Sequence, residues 1–171
     1  MRVGTHALTA AISTTLWGRL RQHRGNLAGR RPLGGNHRAS VLRRHVRAAL
    51  IRRRQQRAEL LSSWLDGHRP AGDWARQEAE IEAEVSHYLG TMPVLWLGVS
   101  TPAERAYLER NSIALLSCLT GCPDAPSPAW LGHDAVPTDI RGSGLWNVEH
   151  VREDYEPAFL NLLSRLVDEQ A

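Results

Sequence analysis

Apolar residues recur at helical spacing over much of the chain, and capping residues mark where several of these stretches begin. Thr14 or Thr15 can cap a first helix that runs to about Arg24, with Gly25 as its stop signal. A second helical pattern begins at Ser40. It places apolar residues at i, i+4, i+7 and i+8, namely Leu42, Val46, Ala49 and Leu50. Both stretches are therefore predicted to be helices.

Three more helices are predicted in the rest of the chain. Residues 73–91 form an acidic helical pattern. Residues 101–104 (TPAE) combine an N-cap, a proline at the first helical position and an acidic residue at the third, which predicts a helix to about Thr120. A closing amphipathic helix starts from Pro157.

Three short stretches, residues 2–5, 93–99 and 145–151, have patterns that suit strands. Residues 93–99 (PVLWLGV) are almost continuously apolar, as in a central strand that is covered on both faces. The pattern predicts an α+β or α/β-like fold with a small central sheet flanked by helices. A length of 171 residues suits one domain over residues 1–171 and is too short for two well-developed cores.

Charge divides the chain sharply. Residues 1–58 contain 14 arginines and no acidic residue, whereas the remainder contains 7 arginines against 18 acidic residues. A basic segment without local acidic partners favours a polyanion such as nucleic acid. The alternative is that the acidic remainder, including residues 73–91, folds back and neutralises the basic segment.

The basic residues are concentrated in two places. Residues 25–38 are rich in glycine and arginine and predict an exposed loop, and the helix from Ser40 carries arginines opposite its apolar face. That helix suits a solvated surface, a nucleic-acid-binding face or, least well, a membrane surface. The residues predicted to hold a nucleic-acid backbone are Arg21, Arg30, Arg31, Arg38, Arg43, Arg44 and Arg47.

Two helices place charged residues beside apolar stripes. Arg19 lies four residues before His23 on the first helix, and Glu109 lines up with Ile113 and Leu116 on the helix that follows residues 101–104. A partly buried charge needs a partner to offset its desolvation. Internal pairing is one solution, because Arg105 precedes Glu109 by four residues and Arg110 is adjacent; a functional ligand is the other.

Other sequence features exclude broad classes of protein. No stretch approaches 18 consecutive apolar residues, and the N-terminus makes a poor secretory signal, so we expect a cytoplasmic protein with no membrane partner. Cys118 and Cys122 are too few for a disulfide framework and are expected to be small buried thiols, with a metal site that includes His133 as the alternative.

Several of these residues resemble the GIY-YIG nuclease pattern. Residues 2–4 (RVG) followed by residues 16–23 (LWGRLRQH) are similar to its second motif and the helix that carries Arg-x-x-x-His. Residues 108–116 (LERNSIALL) are similar to the helix that bears its metal-binding Glu, and Asn147 in GLWNVEH resembles the Asn near its C-terminal end. The nearest resemblance is to a bacterial branch of this superfamily.

The resemblance implies a metal-dependent endonuclease that hydrolyses phosphodiester bonds. Glu109 would hold one divalent cation, usually Mg²⁺, which needs only one or two protein carboxylates because it keeps several waters. Arg19 would stabilise the phosphate in the transition state, and His23 would move a proton or orient its neighbours. Asn147 would assist. The implied partner is nucleic acid, with DNA favoured over RNA.

The sequence also departs from this pattern. The first strand of the family, with its Gly-Ile-Tyr motif, should lie upstream of Val3, and Arg2 stands where the second motif has Tyr. None of Tyr88, Tyr107 and Tyr155 is in a matching place. We expect that the start codon lies farther upstream; the alternative is a degenerate copy.

The function therefore has three candidate interpretations. The first is the metal-dependent endonuclease. The second is a non-catalytic nucleic-acid-binding protein that has kept the basic face and lost the chemistry. The third is an interaction protein whose Arg-rich helix docks on an acidic partner protein.

Overall fold

The structure is a computed structural model that describes residues 1–6, 15–25, 40–54, 73–121 and 124–170. These residues fall into two compact units. The first unit comprises Met1–Leu16, Val94–Trp130 and Pro137–Ala171, and the second comprises Trp17–Pro93 and Leu131–Val136. The single domain over residues 1–171 stays a prediction.

The described elements are helices. Their bounds are α1 Leu16–Arg24, α2 Val41–Arg53, α3 Asp73–Gly90, α4 Pro102–Leu116, a 3-10 helix Leu131–Asp134, α5 Thr138–Ser143 and α6 Phe159–Asp168. No helix in the described ranges combines the length and apolar character needed to cross a membrane. The helices predicted from capping and periodicity are confirmed, although α4 ends at Leu116 rather than near Thr120.

Local capping explains where these helices begin and end. The Ser40 side chain accepts a hydrogen bond from the Arg43 backbone N–H at 3.2 Å, and Thr101 accepts one from the Glu104 backbone at 3.1 Å. Gly25 follows α1 with a φ of 71°, in the left-handed region that glycine adopts most readily. The boundaries predicted from these residues therefore hold within one or two positions.

The predicted central sheet is wrong, because the described residues contain no strand. Residues 93–99 are irregular and mostly exposed, with Leu95 98% and Trp96 72% exposed. The Gln170 carboxamide makes both backbone hydrogen bonds to Gly98, at 2.8 and 3.0 Å. A side chain thus occupies the backbone groups that a neighbouring strand would need.

Residues 145–147 and Val151 are buried, Val148 and Glu149 are exposed, and the segment bends instead of forming a strand. The Val151 carbonyl accepts from the Ser117 hydroxyl at 2.5 Å, and the Leu145 N–H donates to the Ser143 hydroxyl at 3.2 Å. Because these backbone groups bond to side chains, no ladder forms along the segment. An apolar pattern alone did not distinguish a buried bend from a buried strand.

The first unit has two apolar clusters. Leu108 on α4 and Phe159 and Leu166 on α6 form one of them. The second consists of Ile113, Leu145 and Val151, with the partly buried Val3 and Leu116 packed against it. Val3 thereby attaches the N-terminal segment to α4 through apolar contact.

The second unit is built on α2, which packs against α3 and against the 3-10 helix. Its buried apolar residues include Val46, Ala49 and Ile51 on α2 and Val85 on α3. Arg52 of α2 donates to the Ala135 carbonyl at 2.9 Å beside the 3-10 helix. Apolar burial and side-chain hydrogen bonds together hold these three elements.

The cysteine prediction is corrected in part. Cys118 is disulfide-bonded, so it is neither a buried thiol nor a metal ligand. Its backbone N–H donates to the Ser143 carbonyl at 2.9 Å, which joins the segment after α4 to the end of α5. Cys122 lies outside the described residues.

Candidate functional site

The N-terminal segment of the first unit is fixed by residues 146–147. The Trp146 backbone N–H donates to the Met1 carbonyl at 2.8 Å, and Arg2 Nη1 donates to the Trp146 carbonyl at 2.7 Å. Asn147 then makes both backbone hydrogen bonds to Val3. Its Oδ1 accepts from the Val3 N–H at 3.1 Å, and its Nδ2 donates to the Val3 carbonyl at 2.9 Å.

The local fold explains how Asn147 reaches Val3. Gly144 ends α5 with a φ of 74°, which turns the chain sharply before Trp146. Trp146 is fully buried, and its ring packs edge-to-face on Trp130 at a centroid distance of 5.5 Å. Asn147 is 4% exposed. A well-packed turn therefore holds its carboxamide in one place.

This docking places Glu109 of α4 beside the segment. Glu109 is partly buried, and its Oε2 accepts a hydrogen bond from the Thr5 hydroxyl at 2.7 Å. Its Oε1 lies on the Gly4 side, 3.9 Å from the position that a Cβ on Gly4 would take. The carboxylate thus has one oxygen fixed by a neutral hydroxyl and the other beside a residue with no side chain.

The internal pairing of Glu109 with Arg105 or Arg110, one of the two alternatives left open by the sequence, is not found. Arg105 donates instead to the Val99 and Ser100 carbonyls, at 2.7 and 3.3 Å. Arg110 contacts Glu153 at 2.5 Å and Glu156 at 3.2 Å. No cationic side chain among the described residues pairs with Glu109. Its negative charge is therefore not balanced within that part of the chain.

Polar contacts also fix the two residues that follow Glu109 on α4. Asn111 is fully buried, its Nδ2 donates to the Tyr107 carbonyl at 2.9 Å, and its Oδ1 accepts from the Glu156 N–H at 2.7 Å. Hydrogen bonds from Arg110 and His150 lower the pKa of the Glu153 carboxyl. Arg110 therefore stays bound to a carboxylate that is ionised at neutral pH.

The donor set suits a hard cation that keeps its own waters. The described residues contain no group of three or more His, Cys, Asp or Glu side chains that could hold a metal ion. A zinc or calcium cage needs such a group, whereas Mg²⁺ binds through one or two carboxylates. Glu109, whose Oε1 borders Gly4, fits Mg²⁺ in this mode.

A comparison with protein families identifies the family to which this chain belongs. The profile of the GIY-YIG domain matches residues 1–171. The chain belongs to the GIY-YIG family. No curated protein and no solved structure gives a significant match. Membership confirms the resemblance and implies a nuclease-like function, with nucleic acid as the substrate.

The residues that the GIY-YIG resemblance assigns to the site fall into two pairs. Glu109 and Asn147 belong to the first unit, and Arg19 and His23 belong to the second. Arg19 Nη1 donates to Gln22 Oε1 at 2.9 Å on the same helix, and His23 Nδ1 lies 2.7 Å from the Ser40 hydroxyl. The roles of Arg19 and His23 stay predictions.

The predicted solvent-facing position of two arginines on α2 is wrong. Arg43 is fully buried; its Nη2 lies 2.6 Å from Glu82 Oε2 and 3.0 Å from the Ser86 hydroxyl. Arg47 is 2% exposed and contacts Glu78 at 3.0 Å. The alternative in which residues 73–91 neutralise the basic helix is the one observed for these two pairs.

The other predicted nucleic-acid contacts are distributed differently. Arg21 on α1 and Arg44 on α2 are exposed. Arg30, Arg31 and Arg38 lie outside the described residues. Within the described part, Arg21 and Arg44 are therefore the exposed residues of the predicted set.

Sequence reasoning missed Thr5 as a partner of Glu109. The two residues are separated by 104 positions, and a single threonine after a glycine carries no pattern of its own. The role of Asn147 in docking Val3 was also missed, since that contact spans 144 positions. Only the assembled first unit shows that these contacts lie beside one carboxylate.

Proposed function

We propose that this GIY-YIG protein is a metal-dependent endonuclease that hydrolyses phosphodiester bonds in nucleic acid, with DNA preferred to RNA. The observation that carries the proposal is Glu109, a partly buried carboxylate that accepts from Thr5 and has no cationic partner among the described residues. The GIY-YIG resemblance aligns it with the metal-binding Glu of the family. Such a group is stabilised when a cation joins it.

The proposal assigns a task to three residues of the first unit, Glu109, Thr5 and Asn147. Glu109 would hold Mg²⁺, and the Thr5 hydroxyl fixes the orientation of the carboxylate. Asn147 binds the Val3 backbone and thereby keeps Gly4 and Thr5 beside Glu109. When bound, the cation supplies positive charge that neutralises the phosphate in the transition state and makes a coordinated water more acidic.

Residues of the second unit are proposed for the remaining tasks. Arg19 stabilises negative charge on the phosphate through its planar fork of donors, and His23 moves a proton or orients its neighbours. Arg21 and Arg44 contact the phosphate backbone without reading its sequence.

The test is cleavage of supercoiled plasmid, single-stranded DNA and RNA in Mg²⁺ or EDTA. We expect Mg²⁺-dependent nicking by the wild type and a loss of about a hundredfold or more in Glu109→Gln, because the cation loses its carboxylate. Asp168→Asn removes a similar charge from an exposed position on α6 of the same unit and is the matched control. Equal cleavage by Glu109→Gln and wild type, or cleavage that survives EDTA, contradicts the proposal.

One observation favours the alternative of a non-catalytic nucleic-acid-binding protein. Tyr107 is bonded to Glu156 at 3.2 Å, and desolvation, together with this hydrogen bond, raises the pKa of its hydroxyl. A raised pKa makes Tyr107 a poor general base. The alternative predicts binding that weakens steeply with salt, no effect of Mg²⁺ and no cleavage.

A further inference from the structure

The backbone at Gly4 lies between two opposite charges. A Cβ built there would lie 3.9 Å from Arg2 Nε and 3.9 Å from Glu109 Oε1, and Gly4 itself is exposed. The guanidinium and the carboxylate therefore border the same small space. We propose that Arg2 is a phosphate-binding residue, and that a phosphodiester occupies the space over Gly4 between Arg2 and a cation on Glu109. This proposal rests on the proposed function.

The Arg2 side chain is fixed in a way that suits this task. Its Nη1 donates to the Trp146 carbonyl at 2.7 Å, and Trp146 is fully buried. One end of the planar guanidinium is thereby attached to a rigid part of the unit, while Nε lies on the Gly4 side. A fork of donors held in this way loses little conformational freedom when it binds a phosphate.

Charge supports a phosphate in this space. Among the described contacts Glu109 forms no ion pair with Arg2, so this arginine does not balance the charge of Glu109. A cation on Glu109 followed by a phosphate against Arg2 gives four charges of alternating sign. Charge-assisted hydrogen bonds from guanidinium groups to phosphate are among the stronger polar contacts in proteins.

Arg2 is a property of this chain and not of the family pattern. The resemblance aligns Arg2 with the Tyr of the second GIY-YIG motif, so the pattern gives no phosphate contact at this position. Arg19, the arginine that the pattern does supply, belongs to the second unit. Arg2 is the arginine that the structure places beside the Gly4 edge of Glu109.

Gly4 offers a test that changes shape without changing charge. Its φ is not among the positive values found at Gly25, Gly121 and Gly144, so an alanine there is not strained. The nearest atoms to the added Cβ are at 3.9 Å, which is ordinary van der Waals contact. Gly4→Ala should therefore fold normally and fill part of the proposed phosphate position.

The experiment compares Arg2→Gln, Gly4→Ala and Glu109→Gln with wild type. Three quantities are measured: plasmid cleavage in Mg²⁺, Mg²⁺ affinity by calorimetry, and binding of a fluorescein-labelled short DNA duplex in EDTA. We expect Arg2→Gln and Gly4→Ala to lower cleavage by about tenfold to a hundredfold and to weaken duplex binding, with no loss of Mg²⁺ affinity. Arg165→Gln, an exposed arginine on α6, is the charge control and should match the wild type.

The outcomes separate this inference from the proposed function. If Glu109→Gln loses Mg²⁺ binding and cleavage while Arg2→Gln and Gly4→Ala equal the wild type, the inference is overturned and the nuclease stands. If Glu109→Gln behaves as wild type, the nuclease falls, and duplex binding in EDTA decides the inference. Weaker binding by Arg2→Gln and Gly4→Ala than by Arg165→Gln then supports a phosphate contact, and equal binding overturns it.

Discussion

Two helix carboxylates, Glu82 on α3 and Glu109 on α4, have opposite surroundings. Glu82 is 6% exposed and lies 2.6 Å from the buried Arg43 guanidinium. Glu109 is partly buried, accepts from the Thr5 hydroxyl and has no cationic partner in the described part of the chain. The first charge is balanced inside its unit, whereas the second is available to a ligand.

The comparison shows that the spacing of charged residues along the chain does not decide which of them form ion pairs within the protein. Arg105 precedes Glu109 by the favourable four residues, yet it donates to the Val99 and Ser100 carbonyls. Arg43 and Glu82 are 39 positions apart and form the buried pair. The basic segment therefore supplies structure in the second unit, and its arginines cannot all be counted as nucleic-acid contacts.

The largest expected effect comes from breaking the buried pair. Arg43→Met should lower the free energy of unfolding by about 3–5 kcal/mol, because it removes the arginine that lies 2.6 Å from the buried Glu82 carboxylate. The same variant should leave Mg²⁺ affinity unchanged if the two carboxylates are independent. Urea unfolding followed by circular dichroism measures the first quantity, and calorimetry measures the second.

A double variant tests whether the stability lost in Arg43→Met comes from the charge that remains on Glu82. Arg43→Met with Glu82→Met replaces both charges by apolar groups and should recover most of the stability lost in the single variant. A double variant as unstable as Arg43→Met alone would mean that the other hydrogen bonds of Arg43, to the His23 and Glu82 carbonyls and the Ser86 hydroxyl, hold the second unit together.

The helices could be predicted from the sequence because their signals are local. Ser40 and Thr101 each cap a helix that begins at the next residue, and Gly25 follows the end of α1. Whether an apolar segment forms a strand could not be decided in this way, since a strand needs a partner elsewhere in the chain. In residues 93–99, the backbone bonds of Gly98 go to Gln170, a residue 72 positions away.

The sequence predicted which residues belong to the candidate site, but it did not predict their contacts. The resemblance identified Glu109 and Asn147, and the structure brings both to the N-terminal segment. Their contacts with Thr5 and Val3 span more than a hundred positions, beyond the reach of any periodic pattern. The long-range docking of a short segment, rather than helix formation, therefore builds this site.

The second prediction removes that docking. Asn147→Leu keeps the approximate side-chain size and loses both hydrogen bonds to Val3, which should cost about 1–3 kcal/mol because buried backbone groups lose their partners. It should also weaken Mg²⁺ binding by about tenfold, since Thr5 is no longer held against Glu109. Amide hydrogen exchange at Val3 and calorimetry measure the two effects.

Asn147→Asp is the graded control for this change. It keeps an acceptor for the Val3 N–H and loses the donor to the Val3 carbonyl, so its stability should fall between those of Asn147→Leu and the wild type. If Asn147→Leu exchanges slowly at Val3, then apolar packing of Val3 on Ile113 and Leu145 is sufficient to dock the segment.

The smallest expected effect concerns Glu153, which lies 2.5 Å from the Arg110 guanidinium. Hydrogen bonds from Arg110 and His150 lower the pKa of Glu153 below its ordinary 4.5. A carboxyl whose pKa is lowered by folding contributes stability that is fully present above 4.5 and is lost as the pH falls through the lowered value. The difference in unfolding midpoint between wild type and Glu153→Gln should be small at neutral pH, because the Arg110–Glu153 pair is exposed. It should vanish in acid, where Glu153 is protonated.

The same variant tests whether Arg110 pairs with Glu109 when Glu153 is changed. In Glu153→Gln, Arg110 retains Glu156 at 3.2 Å, so we expect no new pair with Glu109 and an unchanged Mg²⁺ affinity. Glu169→Gln, which loses only a surface pair with Arg165, is the control for the thermal measurements. A Mg²⁺ affinity that falls in Glu153→Gln and recovers in Glu153→Gln with Arg110→Gln would show that Arg110 moves to Glu109. The unbalanced charge of Glu109 would then depend on Glu153, and the contrast with Glu82 would rest on a competition between carboxylates for one arginine.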